Sequence, residues 1–221
     1  MNMQDFAKSF GGRIVFIDTE TTGLVASKDE VLSLSVVDSA GNVLFDHLIK
    51  PRTRKRWPKA QEVNGIAPSD VKDEKTLEEY ADELAPLFDG TYLVVGYNVS
   101  FDLGMLDASG LDVSKCKSFD VMREYEKVFG SRVKLVQCAT SYGYGSFEAH
   151  GSLEDAKATA YCFSRLIADE RYTKICDLES RGLSREDARV IANQQSSSGC
   201  ILPLAIAVFI LIVVVIILAV L

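Results

Sequence analysis

The last 22 residues of the chain, Cys200 to Leu221, include 21 apolar side chains, interrupted only by Pro203, and carry no charge. A helix over Ile201–Leu221 would be about 31 Å long at 1.5 Å per residue, which matches a hydrocarbon core of roughly 30 Å. No polar stripe is left for such a helix to show to water, as a packed surface helix must. The segment is therefore expected to be a single transmembrane helix, with the lipid bilayer as the partner of residues 200–221. All 24 basic and 31 acidic residues then fall in residues 1–199, which must fold in water. Gln194-Gln195-Ser196-Ser197-Ser198-Gly199 reads as a flexible linker. Arg181, Arg185 and Arg189 precede the apolar run and nothing basic follows it, so the charge rule for membrane segments puts residues 1–199 on the cytoplasmic side. Met1–Gly12 has no apolar stretch of the signal-peptide kind. The expected organisation is a folded domain over residues 1–180, a basic helix and linker over 181–199, and the membrane helix over 200–221.

The soluble part excludes several classes. A net charge of −7 argues against a general nucleic-acid coat, though not against an enzyme that grips one end of a strand. The five cysteines form no C-x-x-C pair and there are only two histidines, His47 and His150, so a zinc site has little to work with. A reducing compartment fits this cysteine usage.

Hydrophobic patterning predicts an α/β fold. Arg13–Asp18 is an apolar run bounded by glycines and threonines, as in a buried strand. Glu30–Asp38 alternates, with Leu32, Leu34 and Val36 opposed to Ser33 and Ser35, which predicts a half-exposed strand. Val43–Ile49 alternates again after the turn residues Ala40-Gly41-Asn42, giving an antiparallel meander. Thr76–Phe88 reads as a helix capped by Thr76. Tyr92–Tyr97 suits a central parallel strand, and helices are expected over Ser100–Ser109, Val121–Phe129, Leu135–Tyr142 and Ser152–Asp169. Strands followed by interleaved strands and helices imply a mixed sheet flanked by helices.

Three segments carry chemistry. In Phe16-Ile17-Asp18-Thr19-Glu20-Thr21-Thr22-Gly23, an extended backbone presents Asp18 and Glu20 on one face. Two adjacent anions at the end of an apolar strand call for a cation, and a hard divalent metal is the usual one. In Asn98-Val99-Ser100-Phe101-Asp102, Asp102 lies in the first turn of a helix after a buried strand, where α/β sheets concentrate their sites; Ser100 as helix cap is the plainer local reading. In His150-Gly151-Ser152-Leu153-Glu154-Asp155-Ala156, Ser152 is a plausible cap and Asp155 falls in the first turn. His150, in the loop before that helix, is suited to accept a proton from water.

Taken together and in this order, the three segments resemble the three motifs of the DEDDh (DnaQ-like) exonuclease family, over about residues 12–168. The resemblance implies an RNase H-like fold and 3′→5′ hydrolysis of nucleic acid to nucleoside 5′-monophosphates, with DNA or RNA single-stranded 3′ ends as substrate. It assigns Asp18, Glu20, Asp102 and Asp155 as ligands of two Mg²⁺ or Mn²⁺ ions, which would stand ~3.5–4 Å apart across the scissile phosphate, and His150 as general base. It also implies that Thr21 and the backbone around Thr22 and Leu24 meet the terminal nucleotide. Asn64 and Tyr97 stand where many relatives carry histidine and bear on the choice between DNA and RNA. The alternative is a catalytically inactive exonuclease-fold module that recruits nucleic acid or a partner to the membrane. The complete acid set argues against it, since a binding module has no need of negative charge where a phosphate must sit. A polymerase partner and self-association are both left open.

One feature runs against the acidic balance. Lys50–Lys59 holds six basic residues, no acid, and Trp57. Its arginines, Arg52, Arg54 and Arg56, and Lys55 are expected to touch phosphates, while Trp57 is expected to pack against the domain as part of an ordered loop punctuated by Pro51 and Pro58. His47, within a strand, is expected to be structural.

Overall fold

The computed structural model describes residues 9–145 and 151–194. The apolar run at the start of the chain forms the middle strand, β1 (Ile14–Thr21), and β2 (Val31–Asp38) and β3 (Val43–Leu48) follow it as an antiparallel meander. Two parallel strands, β4 (Leu93–Gly96) and β5 (Lys117–Asp120), extend the sheet on the other side, so the order is β3-β2-β1-β4-β5. The helices are α1 (Pro58–Asn64), α2 (Ala81–Phe88), α3 (Val99–Ala108), α4 (Val121–Phe129), α5 (Leu135–Ser141), α6 (Ser152–Ala168) and α7 (Glu170–Ser180), with a 3₁₀ turn over Leu77–Tyr80.

Strand β1 is apolar throughout its first half because both of its faces are covered. Its odd positions, Val15 and Ile17, join a core cluster with Leu34, Val36, Leu84, Phe88, Met105 and Leu106. On the even side Phe16 meets Phe163 of α6 edge-on, with ring centroids 5.4 Å apart. This alternation decides the site. Asp18 and Glu20 continue the even face, towards α6, and Thr19 continues the odd one.

Several expectations are corrected. Strand β2 is not half-exposed: Ser33 and Ser35 are buried as deeply as their apolar neighbours, because α6 packs over that face. Their hydroxyls are satisfied by the Ser152 hydroxyl, at 2.9 Å from Ser33 and 2.8 Å from Ser35, and by Asp46, which accepts from Ser35 at 2.7 Å. Ser152 is thus the first residue of α6, bonded to the sheet, rather than a cap serving its own helix end. The cap of α3 is not Ser100 but Asn98, in a left-handed conformation (φ 69°) that asparagine tolerates better than most residues. Thr76–Phe88 is not one regular helix. Thr76 and Glu79 form a capping box around the 3₁₀ turn, and α2 begins only at Ala81. Pro58 opens α1, where a proline's missing N–H goes unmissed, so the basic segment ends in a helix. Trp57 packs as expected. It is 4% exposed, lies against Leu32 and Val71, and donates its indole N–H to the Ile66 carbonyl at 2.7 Å. His47 stacks on Tyr80, with ring centroids 5.2 Å apart.

The chain divides into two units, residues 1–168 and 169–221. In the second unit α7 is followed by helical residues 185–194, and each arginine counted for membrane orientation has an acidic neighbour: Arg181 with Asp177, Arg185 with Glu179 and Arg189 with Glu186. The expected transmembrane segment lies outside the described residues. Among the described residues no helix is long and apolar enough to cross a membrane.

Candidate active site

The site is built where β1 runs out of apolar residues. Asp18 and Glu20 project from its even face and Asp155 reaches them from the first turn of α6; one ligand atom from each lies within 4.8 Å of the others. Ser152 sits one helical turn before Asp155, and its hydroxyl bonds to Ser33 and Ser35, which pair in register with Glu20 and Asp18 on the neighbouring strand. The serine seam therefore sets the height at which Asp155 meets the two β1 acids.

Asp102 approaches from the other side. It is 3% exposed, and its Oδ1 accepts from the Thr19 backbone N–H at 3.1 Å and the Thr19 hydroxyl at 2.7 Å. Asp102 is not among the three acids that converge within 4.8 Å, but its charge reaches Asp18. Burial first, then the charges of Asp102, Asp155 and Glu20, push the Asp18 carboxyl well above the usual range. Glu20 is pushed up to about 7 by burial and by Asp155, against a hydrogen bond from Asn64. Asp102 is pushed up to about 7 by burial, against the two bonds from Thr19. No lysine or arginine pairs with Asp18, Glu20 or Asp102 among the described residues. Crowded, half-buried carboxylates with oxygen-only donors are what a hard divalent cation binds, and the acidic cluster fits such a metal.

The other expected residues are placed as follows. Thr21 donates its hydroxyl to the Gly23 carbonyl at 2.6 Å, and the Thr22 hydroxyl accepts from Glu30 N–H at 3.0 Å. Leu24, 83% exposed, stands at the tip of the following loop. Asn64, at the end of α1, donates to the Thr21 carbonyl at 3.2 Å and lines, with Glu20 and Gly151, a cavity of about 390 Å³. Arg54 turns its guanidinium to Asp29, at 2.6 Å, and Arg56 is exposed with no ion pair among the described residues. His150 lies outside the described residues; Gly151, which follows it, borders the same cavity as Glu20. The Tyr97 hydroxyl donates to the Val133 carbonyl at 2.7 Å.

Sequence reasoning missed Thr19, the residue inside the acid-x-acid pair that fastens Asp102. Its signal was the strand alternation itself, which sends Thr19 to the face where α3 packs. Asp29 was missed as well. It holds the loop after β1 by accepting from Val25 N–H at 3.0 Å and from Arg54. A side chain at Gly23 would place Cβ 2.5–2.8 Å from the Asp29 carboxylate atoms, so glycine is required there by close approach.

The RNase T exonuclease family model matches residues 15–163, more than half of the chain. The chain is 27% identical over 192 residues to the PolC-type DNA polymerase III of Thermotoga maritima, covering 80% of this chain but 14% of that protein. It is 30% identical over 163 residues to RNA exonuclease 4 of Aspergillus fumigatus, covering 70% of this chain and 51% of that one. The chain thus spans only a small part of the polymerase relative and about half of the RNA exonuclease. Among solved structures, Exonuclease X in complex with 5′ overhanging duplex DNA shares the fold, with a TM-score of 0.57 at 20% identity, over 81% of this chain and 99% of that one. With the family model spanning β1 to α6 and the acids gathered on those same elements, this chain belongs to the RNase T (DnaQ-like) exonuclease family.

Proposed function

We propose that the chain is a 3′→5′ exonuclease that releases nucleoside 5′-monophosphates from single-stranded DNA or RNA ends, held at the membrane by residues 200–221 with its catalytic domain in the cytoplasm. The observation that carries the reading is the convergence of Asp18, Glu20 and Asp155 within 4.8 Å, with Asp102 pinned beside them by Thr19. These four acids would hold two Mg²⁺ or Mn²⁺ ions, which supply Lewis acidity and a nucleophilic water when bound. The protein's own residues do the remainder. Leu24 and the backbone around Thr22 meet the terminal nucleotide, and Asn64 bridges that loop to Glu20. His150, two residues before the start of α6 in the sequence, accepts the proton of the attacking water at its imidazole nitrogen, the general-base role that an imidazole can fill. The fixed bonds of Thr19 and of the serine seam keep the acids in place without reorganisation during the reaction.

The test incubates the full chain, in detergent, with end-labelled single-stranded DNA and RNA in Mg²⁺, Mn²⁺ or EDTA. Metal-dependent mononucleotide release from the 3′ end that is lost in Asp18→Ala supports the reading. Binding without turnover in every condition makes the chain a recruiting module and sinks it.

A further inference from the structure

The basic segment after β3 has a built foundation. Glu30 lies beneath it and accepts from the backbone N–H groups of Arg52 at 2.9 Å, Thr53 at 3.0 Å and Arg54 at 2.8 Å, and from the Thr53 hydroxyl at 2.9 Å. Burial alone would raise the Glu30 carboxyl, but the amides of Arg54 and Thr53 hold it below its ordinary value. The main chain is thereby fixed while the side chains project. Lys50, Arg54, Lys55 and Lys72 rim a groove of about 160 Å³ whose floor includes Pro51, Trp57, Pro68 and Val71. Lys50 and Lys55 have no ion pair among the described residues, and Lys72 meets only the exposed Asp73, at 3.5 Å. Arg54 joins the groove to the loop after β1 through Asp29, which also accepts from Val25 N–H. Arg54 is thus tied to the loop that carries Leu24.

In a chain of net charge −7, a cation-rimmed slot selects a polyanion. We propose that this groove takes the sugar–phosphate backbone of a single strand upstream of its 3′ end, so that affinity grows with strand length. The inference rests on the exonuclease reading for the direction of the strand. A lipid surface fits less well, because the slot is concave and its large apolar side chains are sunk: Trp57 is 4% and Val71 2% exposed, so neither can enter a bilayer.

The experiment compares the full chain with the triple variant Lys50→Ser/Lys55→Ser/Lys72→Ser, both in detergent micelles. Binding of oligothymidylate and oligouridylate of about 16 nucleotides is measured in EDTA across a salt series. The variant should bind about tenfold more weakly, and the slope of log affinity against log salt should become shallower by about 2, near 0.7 for each lost phosphate contact on a single strand. The corresponding triple arginine variant should restore both. In Mg²⁺ or Mn²⁺, turnover of the p-nitrophenyl ester of thymidine 5′-monophosphate should hold, because that substrate has no upstream phosphates. Unchanged affinity and slope would overturn the proposal. So would a variant that keeps oligonucleotide binding but loses salt-sensitive retention on micelles doped with phosphatidylglycerol. Absence of turnover on every substrate by the unaltered chain would sink the exonuclease reading, while the binding comparison would still decide the groove.

Discussion

Glu20 shows most directly what the acid cluster demands of the fold. Its carboxyl titrates at about 7 in the folded chain, against 4.5 for an ordinary glutamate. A group whose pKa is raised by folding stabilises the protein fully below its unfolded value and loses that contribution as the pH rises through the folded one. Without divalent cations the chain should therefore be more resistant to urea at pH 5 than at pH 8. Glu20→Gln should flatten that dependence and stabilise the metal-free protein by about 1–3 kcal/mol at pH 8, while abolishing nucleotide release; urea unfolding in EDTA at both pH values checks it. An unchanged pH dependence would mean that the carboxyl is not ionised at a cost. Thr19 acts in the opposite sense, since its hydroxyl satisfies a buried aspartate. Thr19→Val leaves the backbone bond to Asp102 but removes the 2.7 Å one. It is expected to reduce stability by about 1–2 kcal/mol and to lower kcat more than it changes KM, read by calorimetry and steady-state kinetics.

At the scale of elements, what was legible in the sequence follows from where the information is local. The central strand, the meander, α4 and the α6 start could be read because apolar period and turn residues lie next to one another in the chain. The acid pair on β1 was legible for the same reason. β5 was not, because it is four residues with Lys117 and Ser118 exposed and exists through its pairing with β4. The burial of Ser33 and Ser35 was not legible either, since it depends on a helix more than a hundred residues away that brings a hydroxyl to meet them. That seam gives a prediction at this scale. Ser152→Ala removes the shared partner of both serines and should destabilise the protein by about 1–3 kcal/mol. Because α6 carries Asp155, divalent-cation affinity should fall with it, measured by calorimetric titration; an unaltered affinity would show that the seam does not set the helix. The Asp29–Arg54 pair escaped sequence reasoning because its residues lie 25 positions apart in the chain and nothing local points from one to the other.

For the whole molecule, the family match covers residues 15–163 and does not reach the apolar tail, whose role rests on the proposal. Protease added outside intact cells should leave residues 1–199 uncut, as immunoblotting of the soluble domain would show; cleavage there would reverse the orientation drawn from Arg181, Arg185 and Arg189. The Glu30 foundation has a broader meaning for a nuclease of this kind. It grips main-chain amides, which every residue but proline possesses, so the contour of the segment is largely independent of the side chains that it bears. A substitution at Lys50 or Lys55 can then alter the ionic character of the segment while the bonds from Glu30 to its main chain stay as they are.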